Sequence, residues 1–153
     1  CRLDEIQAAI LSVKLPYLDE WNRRRHLIAK QYGKIKNPKI HLPYENLKKE
    51  YLQDNKISFM QPNSGIKSVP CWHQYVIMCD QRDELQEFLN SYGIETMLHY
   101  PIPPHKQKAY SKLNNLSFPI SEKIADKCLS LPMNPFISDI NLQYIINKIN
   151  VIF

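Results

Sequence analysis

Residues 69–93, VPCWHQYVIMCDQRDELQEFLNSYG, hold the sharpest secondary-structure signals in the chain. Residues 69–79 are rich in β-branched and aromatic side chains on both alternating faces, which predicts a strand that is covered on both sides. Asp80 can then cap a helix that ends at Gly93, because glycine accepts a left-handed backbone. Four apolar residues of this helix share one face, namely Leu85, Phe88, Leu89 and Tyr92.

A second strand and further helices are predicted along the rest of the chain. Residues 94–99 form the strand, and the prolines after it end it because proline cannot donate to a sheet ladder. We expect a weaker helix over residues 106–113 and a helix with Pro119 in its first turn. An extended piece over residues 129–133 and a last helix capped by Ser138 complete a small α+β layer. The residues predicted to point inward are Ile120, Ile124, Cys128, Ile140, Tyr144, Ile145 and Ile149.

The first 36 residues predict one long helix with a bend. Pro16 is expected to kink this helix, because proline removes a backbone donor and clashes with the preceding turn. We expect the long apolar face of the helix to dock on another body. Apolar residues recur at steps of three and four, first as Leu3, Ile6, Ile10, Val13 and Tyr17, then in a new register as Leu18, Trp21, Ile28 and Tyr32.

These patterns divide the chain into three regions. Residues 1–36 form the linking helix, residues 37–67 an irregular connection, and residues 68–153 the α+β domain. The connection contains several prolines around a short helical candidate at residues 44–52. Because the chain starts at Cys1 without the pattern of a signal peptide, we expect it to be cut from a longer protein.

Composition limits the classes of function. The 153 residues are 44% hydrophobic and 23% charged, and no apolar run is long enough to cross a bilayer. Four dispersed cysteines form no ligand cluster, so we expect no metal and buried reduced thiols in a cytoplasmic protein. The net charge of +5 is concentrated in residues 21–50, where nine Lys/Arg face two glutamates. No nucleic-acid motif accompanies this segment, so a solvated surface is favoured, and salt-dependent nucleic-acid binding ranks last.

The segment IETMLHYPIPPHKQ, residues 94–107, is the strongest candidate for binding chemistry. It places His99 and Tyr100 at a predicted strand end and His105 at a predicted helix start, where side chains can meet a ligand. Imidazole and phenol groups suit hydroxyl and phosphate oxygens. The alternative is that His99 and Tyr100 only close the sheet. His73 is predicted to be a hydrogen-bonded core histidine, and the chain has no Gly-rich phosphate loop or nucleophile elbow.

Four motifs occur in the order found in one enzyme family. They are RLDEIQAAIL at residues 2–11, WH leading into YVI at residues 72–77, HYPIPPH at residues 99–105 and LSLPM at residues 129–133. The chain resembles the DegT/DnrJ/StrS-type sugar-nucleotide aminotransferases, which use pyridoxal phosphate. The resemblance covers nearly the whole chain. It implies the C-terminal small domain of a fold-type I aminotransferase, with the large domain upstream.

The resemblance also implies an activity for the intact enzyme. Pyridoxal phosphate, acting as electron sink, passes an amino group from glutamate to a nucleoside-diphosphate keto-deoxysugar. The HYPIPPH form is most similar to members that aminate C3 of dTDP-linked 6-deoxy sugars, for polysaccharide, lipopolysaccharide or other glycan biosynthesis. In a homodimer, His99, Tyr100 and, more weakly, His105 would bind the substrate, and Arg2 would lie near the cofactor. No lysine here matches the Schiff-base lysine, so no catalytic residue is assigned and the fragment is expected to be inactive.

A free-standing α+β module that binds sugar nucleotides or regulates without catalysis is the alternative. Such a module would hide the apolar face of its first helix in a homodimer. An enzyme segment would instead anchor that face on the large domain. The fate of this face therefore separates the two interpretations.

Overall fold

The computed structural model describes residues 3–43, 59–60, 67–68 and 70–153. Two helices joined by a tight turn form its N-terminal part. Helix α1 spans Glu5–Lys14, and helix α2 spans Leu18–Tyr32. A 3-10 turn over Leu15–Tyr17 separates them and contains Pro16 near its start, where a missing N–H is tolerated. The interruption predicted at this proline is confirmed.

The central sheet is antiparallel and contains three short strands. Its order is β1-β4-β5, where β1 is Ile40–His41, β4 is Tyr75–Cys79 and β5 is Cys128–Leu131. Strands β2 and β3, Phe59–Met60 and Lys67–Ser68, pair with each other. The sheet among helices confirms the predicted α+β class. The helical candidate at residues 44–52 lies outside the described residues.

Two strand predictions need correction. Residues 70–74 precede β4 outside the ladder, because Trp72 has a left-handed backbone with φ of 51° that breaks the extended geometry. Within β4, buried residues alternate with half-buried ones, so the strand is not fully covered on both faces. Residues 94–99 form only one bridge, from Met97 to Ser130. The chain leaves the sheet edge immediately afterwards, so no further pairs reach β5.

Three helices form where the sequence predicts them. They are α3 over Arg82–Ser91, α4 over Pro119–Lys127 and α5 over Asp139–Val151. Gly93 follows α3 with φ of 71°, which confirms its left-handed role. The Ser138 side chain caps α5, also as predicted.

Two local predictions about helices are wrong. Asp80 does not cap α3, because its carboxylate forms an ion pair with Lys127 at the end of α4. That ion pair lowers the pKa of Asp80 through its hydrogen bond with the lysine. The predicted helix over residues 106–113 is replaced by two 3-10 turns, Pro104–Lys106 and Lys108–Leu113. Extended backbone between the turns prevents a continuous helix.

The core lies between the sheet and helices α2, α3 and α5. The Tyr32 hydroxyl donates to the Pro132 carbonyl at 2.7 Å, and burial raises the pKa of this tyrosine. This bond ties the end of α2 to the segment that follows β5. The largest fully buried side chains are Tyr32, Tyr75, Ile28, Ile77, Leu85, Leu89, Leu129, Leu142, Ile149, Cys79 and Cys128.

Several residues predicted to be buried are exposed. In α4, Ile120 and Ile124 face outward and Ala125 is the buried residue. In α5, Ile140 and Tyr144 are likewise exposed, because the buried stripe runs along the neighbouring positions. A repeat of three and four residues therefore predicted the helices correctly but not the centre of the buried face.

Two cysteines behave as predicted, whereas the basic segment is only partly a solvated surface, because Arg24 and Arg25 on α2 are half-buried. Cys79 and Cys128 are buried free thiols, as predicted, whereas Cys71 is exposed because it lies ahead of β4. On α2, Arg24 pairs with Asp139 at 2.7 Å and the exposed Arg23 pairs with Glu20 of its own helix. Among the described residues, no helix is both long enough and apolar enough to span a bilayer.

Candidate functional site

The histidine loop, residues 97–107, starts at the edge of the central sheet. Met97 and Ser130 exchange two backbone hydrogen bonds, with N···O distances of 3.2 and 2.8 Å. Because β5 is buried, this pair fixes the first residue of the loop on a rigid element. His99 and Tyr100 follow two and three residues later.

The His99 ring is held on one side by a buried serine. His99 Nδ1 lies 2.8 Å from Ser130 Oγ, and Ser130 is only 5% exposed. The Cys128 thiol lies 3.8 Å from the His99 carbonyl oxygen, to which it donates weakly. The Nε2 atom of His99 makes no hydrogen bond with any described residue. This nitrogen is therefore free to meet a ligand.

Tyr100 is the most accessible side chain that the sequence nominated. It is 70% exposed, and its ring meets the His99 ring edge-on with the centroids 5.6 Å apart. The peptide bond between the two residues is cis. A phenol and an imidazole thus share one surface, which suits hydrogen bonding to an oxygen-rich ligand.

His105 occupies a different environment from His99. It is only 6% exposed, and its Nε2 lies 2.8 Å from Glu122 Oε1. The Phe118 ring packs edge-on against the imidazole, and the Phe118 N–H donates to the same carboxylate oxygen. The Phe118 N–H and the histidine together hold the pKa of Glu122 below its ordinary value. These contacts attach the end of the histidine loop to α4, and they therefore stabilise the conformation of the loop.

A cavity of about 870 Å³ opens beside the histidine loop. His73 and His99 both line it, and His73 is exposed rather than buried. The core role predicted for His73 is wrong, because the left-handed turn at Trp72 directs the chain out of the ladder just before this residue. The Trp-His pair was visible in the sequence, but the turn was not. The lining also includes apolar side chains such as Met97, Ile137 and Ile145, and the polar residues Gln74, Asn90, Glu95, Thr96, Ser130, Asn134 and Asn141.

The residues of this cavity suit hydrogen bonding better than cofactor anchoring. Its lining contains neither lysine nor arginine, whereas pyridoxal phosphate needs an amine for its Schiff base and donors for its phosphate. Among the described residues, the lining of this cavity therefore does not fit the cofactor by itself. Within the same residues, no group of three His, Cys, Asp or Glu side chains could hold a metal ion. Arg2, the residue predicted to lie near the cofactor, lies outside the described residues.

The fold and the motif order place the chain in a class of aminotransferases. The chain belongs to the DegT/DnrJ/EryC1/StrS aminotransferase family, whose family model matches residues 1–150. This result confirms the resemblance that the four sequence motifs carry.

Individual relatives support the same assignment. The chain is 43% identical over 150 residues to dTDP-3-amino-3,6-dideoxy-alpha-D-galactopyranose transaminase of Aneurinibacillus thermoaerophilus, covering 97% of this chain and 36% of the relative. It is 36% identical over 138 residues to dTDP-3-amino-3,4,6-trideoxy-alpha-D-glucose transaminase of Streptomyces venezuelae, covering 88% of this chain and 31% of the relative. The chain thus spans about a third of the length of these curated relatives.

A solved structure confirms the fold. The crystal structure of S. venezuelae DesV in complex with a ketimine intermediate superposes with a TM-score of 0.78 and 33% sequence identity. The match covers 97% of this chain and 36% of the DesV chain. The α+β arrangement described above is therefore the arrangement of one segment of an aminotransferase.

Proposed function

We propose that this chain supplies the sugar-nucleotide-binding part of a pyridoxal-phosphate-dependent aminotransferase. The observation that carries the proposal is the histidine loop, where His99 lines the cavity with its Nε2 unbonded to any described residue and the exposed Tyr100 lies next to it. In the intact enzyme, an amino group would pass from glutamate to a nucleoside-diphosphate keto-deoxysugar. Pyridoxal phosphate would serve as electron sink and would be held mainly by parts of the protein outside this chain.

The relatives support a finer substrate assignment. Both curated relatives named above are transaminases whose names specify a 3-amino group on a dTDP-linked deoxysugar. We therefore assign the reaction to C3 of a dTDP-linked 6-deoxyhexose, in polysaccharide, lipopolysaccharide or other glycan biosynthesis. We further assign a cytoplasmic homodimer in which the histidine loop reaches the active-site mouth.

The chain's own residues would act on binding and orientation. His99 Nε2 and the Tyr100 hydroxyl are placed to hydrogen-bond to sugar or diphosphate oxygens, because neither makes a hydrogen bond with a described residue. His105 keeps its assignment to the substrate region. Its burial and its bond to Glu122 support an indirect contribution through the loop's shape.

Two substitutions in the intact protein test this proposal. His99→Ala and Tyr100→Phe are each expected to raise the KM for the nucleotide sugar roughly tenfold, the effect of losing one hydrogen bond. The visible absorbance of the bound cofactor should stay unchanged. Tyr110→Phe is the matched control, because Tyr110 is also an exposed tyrosine but lies beyond the histidine loop. Loss of the cofactor absorbance in His99→Ala would move this residue to the cofactor and overturn the assignment.

A second candidate function is a free-standing module that binds sugar nucleotides without catalysis. Such a module would use the cavity beside the histidine loop as its binding site. Calorimetric titration of the 153-residue chain with a dTDP-sugar separates the two functions. Submillimolar affinity of the chain alone would support the module, and absence of binding would support the enzyme segment.

A further inference from the structure

Ser130 is the one buried polar contact of the His99 ring among the described residues. Its backbone N–H and carbonyl are both bonded to Met97, so the residue cannot move without opening the sheet edge. Its hydroxyl contacts one polar partner in the part of the chain that the structure describes, His99 Nδ1 at 2.8 Å. A serine in the middle of a short buried strand is costly unless its hydroxyl is satisfied.

The direction of this hydrogen bond follows from the donors and acceptors that the imidazole and the hydroxyl offer. A neutral imidazole has one N–H donor and one acceptor nitrogen, and a serine hydroxyl has one proton and two lone pairs. If Nδ1 carried the proton, it would donate to Ser130 Oγ, and the buried hydroxyl proton would have no acceptor among the described residues. If the hydroxyl donates to Nδ1, every buried donor is satisfied. The ring proton then sits on Nε2.

We propose that Ser130 is a positioning residue that holds neutral His99 in the Nε2–H tautomer, so that Nε2 donates to an acceptor oxygen of the nucleotide sugar. The ligand part of this proposal rests on the function proposed above. Sugar hydroxyl, carbonyl and diphosphate oxygens all accept hydrogen bonds, whereas an unprotonated Nε2 would face most of them lone pair to lone pair. Ser130 therefore favours an oxygen acceptor in the ligand without touching the ligand, because it acts through the His99 ring.

Ser130 also fixes where the ring points. His99 is anchored at its Nδ1 by the strand and at its carbonyl by the Cys128 thiol, and its ring meets the Tyr100 ring edge-on. The unbonded Nε2 atom is separated from the serine-bound Nδ1 by one ring carbon, so fixing Nδ1 also fixes the direction of Nε2. Removing the hydroxyl would release both the tautomer and the rotation of the ring.

The tautomer can be measured without any ligand. Histidine labelled with 15N in the intact protein gives separate signals for protonated and unprotonated ring nitrogens, and loss of a signal in His99→Gln assigns it. We expect His99 to show a protonated Nε2 and an unprotonated, hydrogen-bonded Nδ1 at a pH where the ring is neutral. A protonated Nδ1 in the wild-type protein would overturn the proposal outright.

Substitutions at Ser130 provide a second test of the proposal. Ser130→Ala is expected to average the two His99 nitrogen signals and to weaken binding of a dTDP-sugar roughly tenfold, as loss of one hydrogen bond does. Ser130→Thr keeps the hydroxyl on a side chain that strands favour, and should restore both the spectrum and the affinity. Ser121→Ala is the control, because Ser121 is an exposed serine of α4 away from His99.

The outcomes separate this proposal from the proposed function. If Ser130→Ala leaves the His99 spectrum and the affinity of the wild type, the positioning role is overturned. If Ser130→Ala does not fold, the spectrum of wild type and Ser130→Thr decides the same question. If the wild-type protein does not bind dTDP-sugars, the proposed function and the ligand part fall, while the spectrum still decides whether Ser130 sets the tautomer.

Discussion

Helices α1 and α5 have similar sequences in physical terms but opposite surroundings. Both are capped by a side chain, Asp4 for α1 and Ser138 for α5, and both carry apolar residues at helical spacing. No residue of α1 is buried among the described residues, and its Ile6 is 73% exposed. By contrast, α5 buries four residues, namely Leu142, Ile145, Ile146 and Ile149. An apolar stripe thus shows that a helix has a face to cover, but not that its own chain covers it.

This difference has an energetic meaning. Burying a large aliphatic side chain contributes about 1.5–3 kcal/mol, whereas an exposed one contributes nothing comparable. Helix α5 therefore contributes to the free energy of unfolding through its packing, while α1 depends on its cap and its intrinsic propensity. The expected docking of α1 on another body, which the sequence suggested, stays a prediction.

Truncating one isoleucine on each helix gives the largest expected contrast. Ile149→Ala in α5 should lower the free energy of unfolding by about 2–5 kcal/mol, because it leaves a cavity at a fully buried position. Ile6→Ala in α1 should change it by less than about 0.5 kcal/mol. Urea unfolding followed by circular dichroism measures both. Equal losses would show that α1 is covered in solution, for example by a second copy of the chain.

A tyrosine pair extends the contrast to hydrogen bonding. Tyr32→Phe should cost about 1–3 kcal/mol, because it leaves the Pro132 carbonyl without its partner inside the protein. Tyr17→Phe removes a hydroxyl from the exposed turn between α1 and α2 and should leave stability unchanged. The same unfolding experiment applies. A neutral Tyr32→Phe would mean that water replaces the lost bond.

The two helix caps test the comparison at its most local level. Ser138→Ala should destabilise the fold by about 1 kcal/mol, the usual cost of losing an N-cap. Asp4→Ala removes an equivalent bond, in which the Ile6 N–H donates to Asp4 Oδ1 at 2.9 Å, but should only fray α1. Amide hydrogen exchange distinguishes the two. Exchange that accelerates throughout the core in Asp4→Ala would contradict this separation.

The smallest expected effect is a dependence of stability on pH. The lowered pKa of Glu122 means that its carboxylate stabilises the folded state above the ordinary value of 4.5, and this stabilisation is lost as the pH falls through the lowered pKa. Glu122→Gln should therefore flatten the acid side of the stability profile. Glu5→Gln on the exposed first turn of α1 is the control. If Glu122→Gln leaves the dependence of the unfolding free energy on pH unchanged, the Glu122 carboxylate does not cause it.

Sequence patterns predicted the boundaries of helices better than they predicted strand pairing or which residues are buried. The caps and ends at Pro16, Gly93 and Ser138 were correct because they depend on local backbone chemistry. The strand expected over residues 94–99 was wrong because pairing needs a neighbour, and only one residue pair reaches β5. The inward role of Ile140 was wrong because burial depends on where the helix axis lies.

The candidate site likewise contains residues that the sequence predicted and residues that it could not predict. His99 and Tyr100 were predicted from their place at an expected strand end, and in the structure both follow the single bridge between Met97 and Ser130 at the sheet edge. The roles of Ser130 and Glu122 were not predictable, since both act through contacts with residues far away in sequence. His73 was assigned to the core because a left-handed turn at a tryptophan has no sequence signal.

By itself, the sequence determined the α+β class, the helix boundaries at Pro16, Gly93 and Ser138, and the family, because caps, periodicity and ordered motifs are properties of neighbouring residues. The tertiary structure alone decided which histidine is free and which is buried. His99 keeps one nitrogen unbonded because Ser130 occupies only the other, whereas the Glu122 carboxylate and the Phe118 ring enclose His105. Such differences arise from contacts across the fold, which no local pattern encodes.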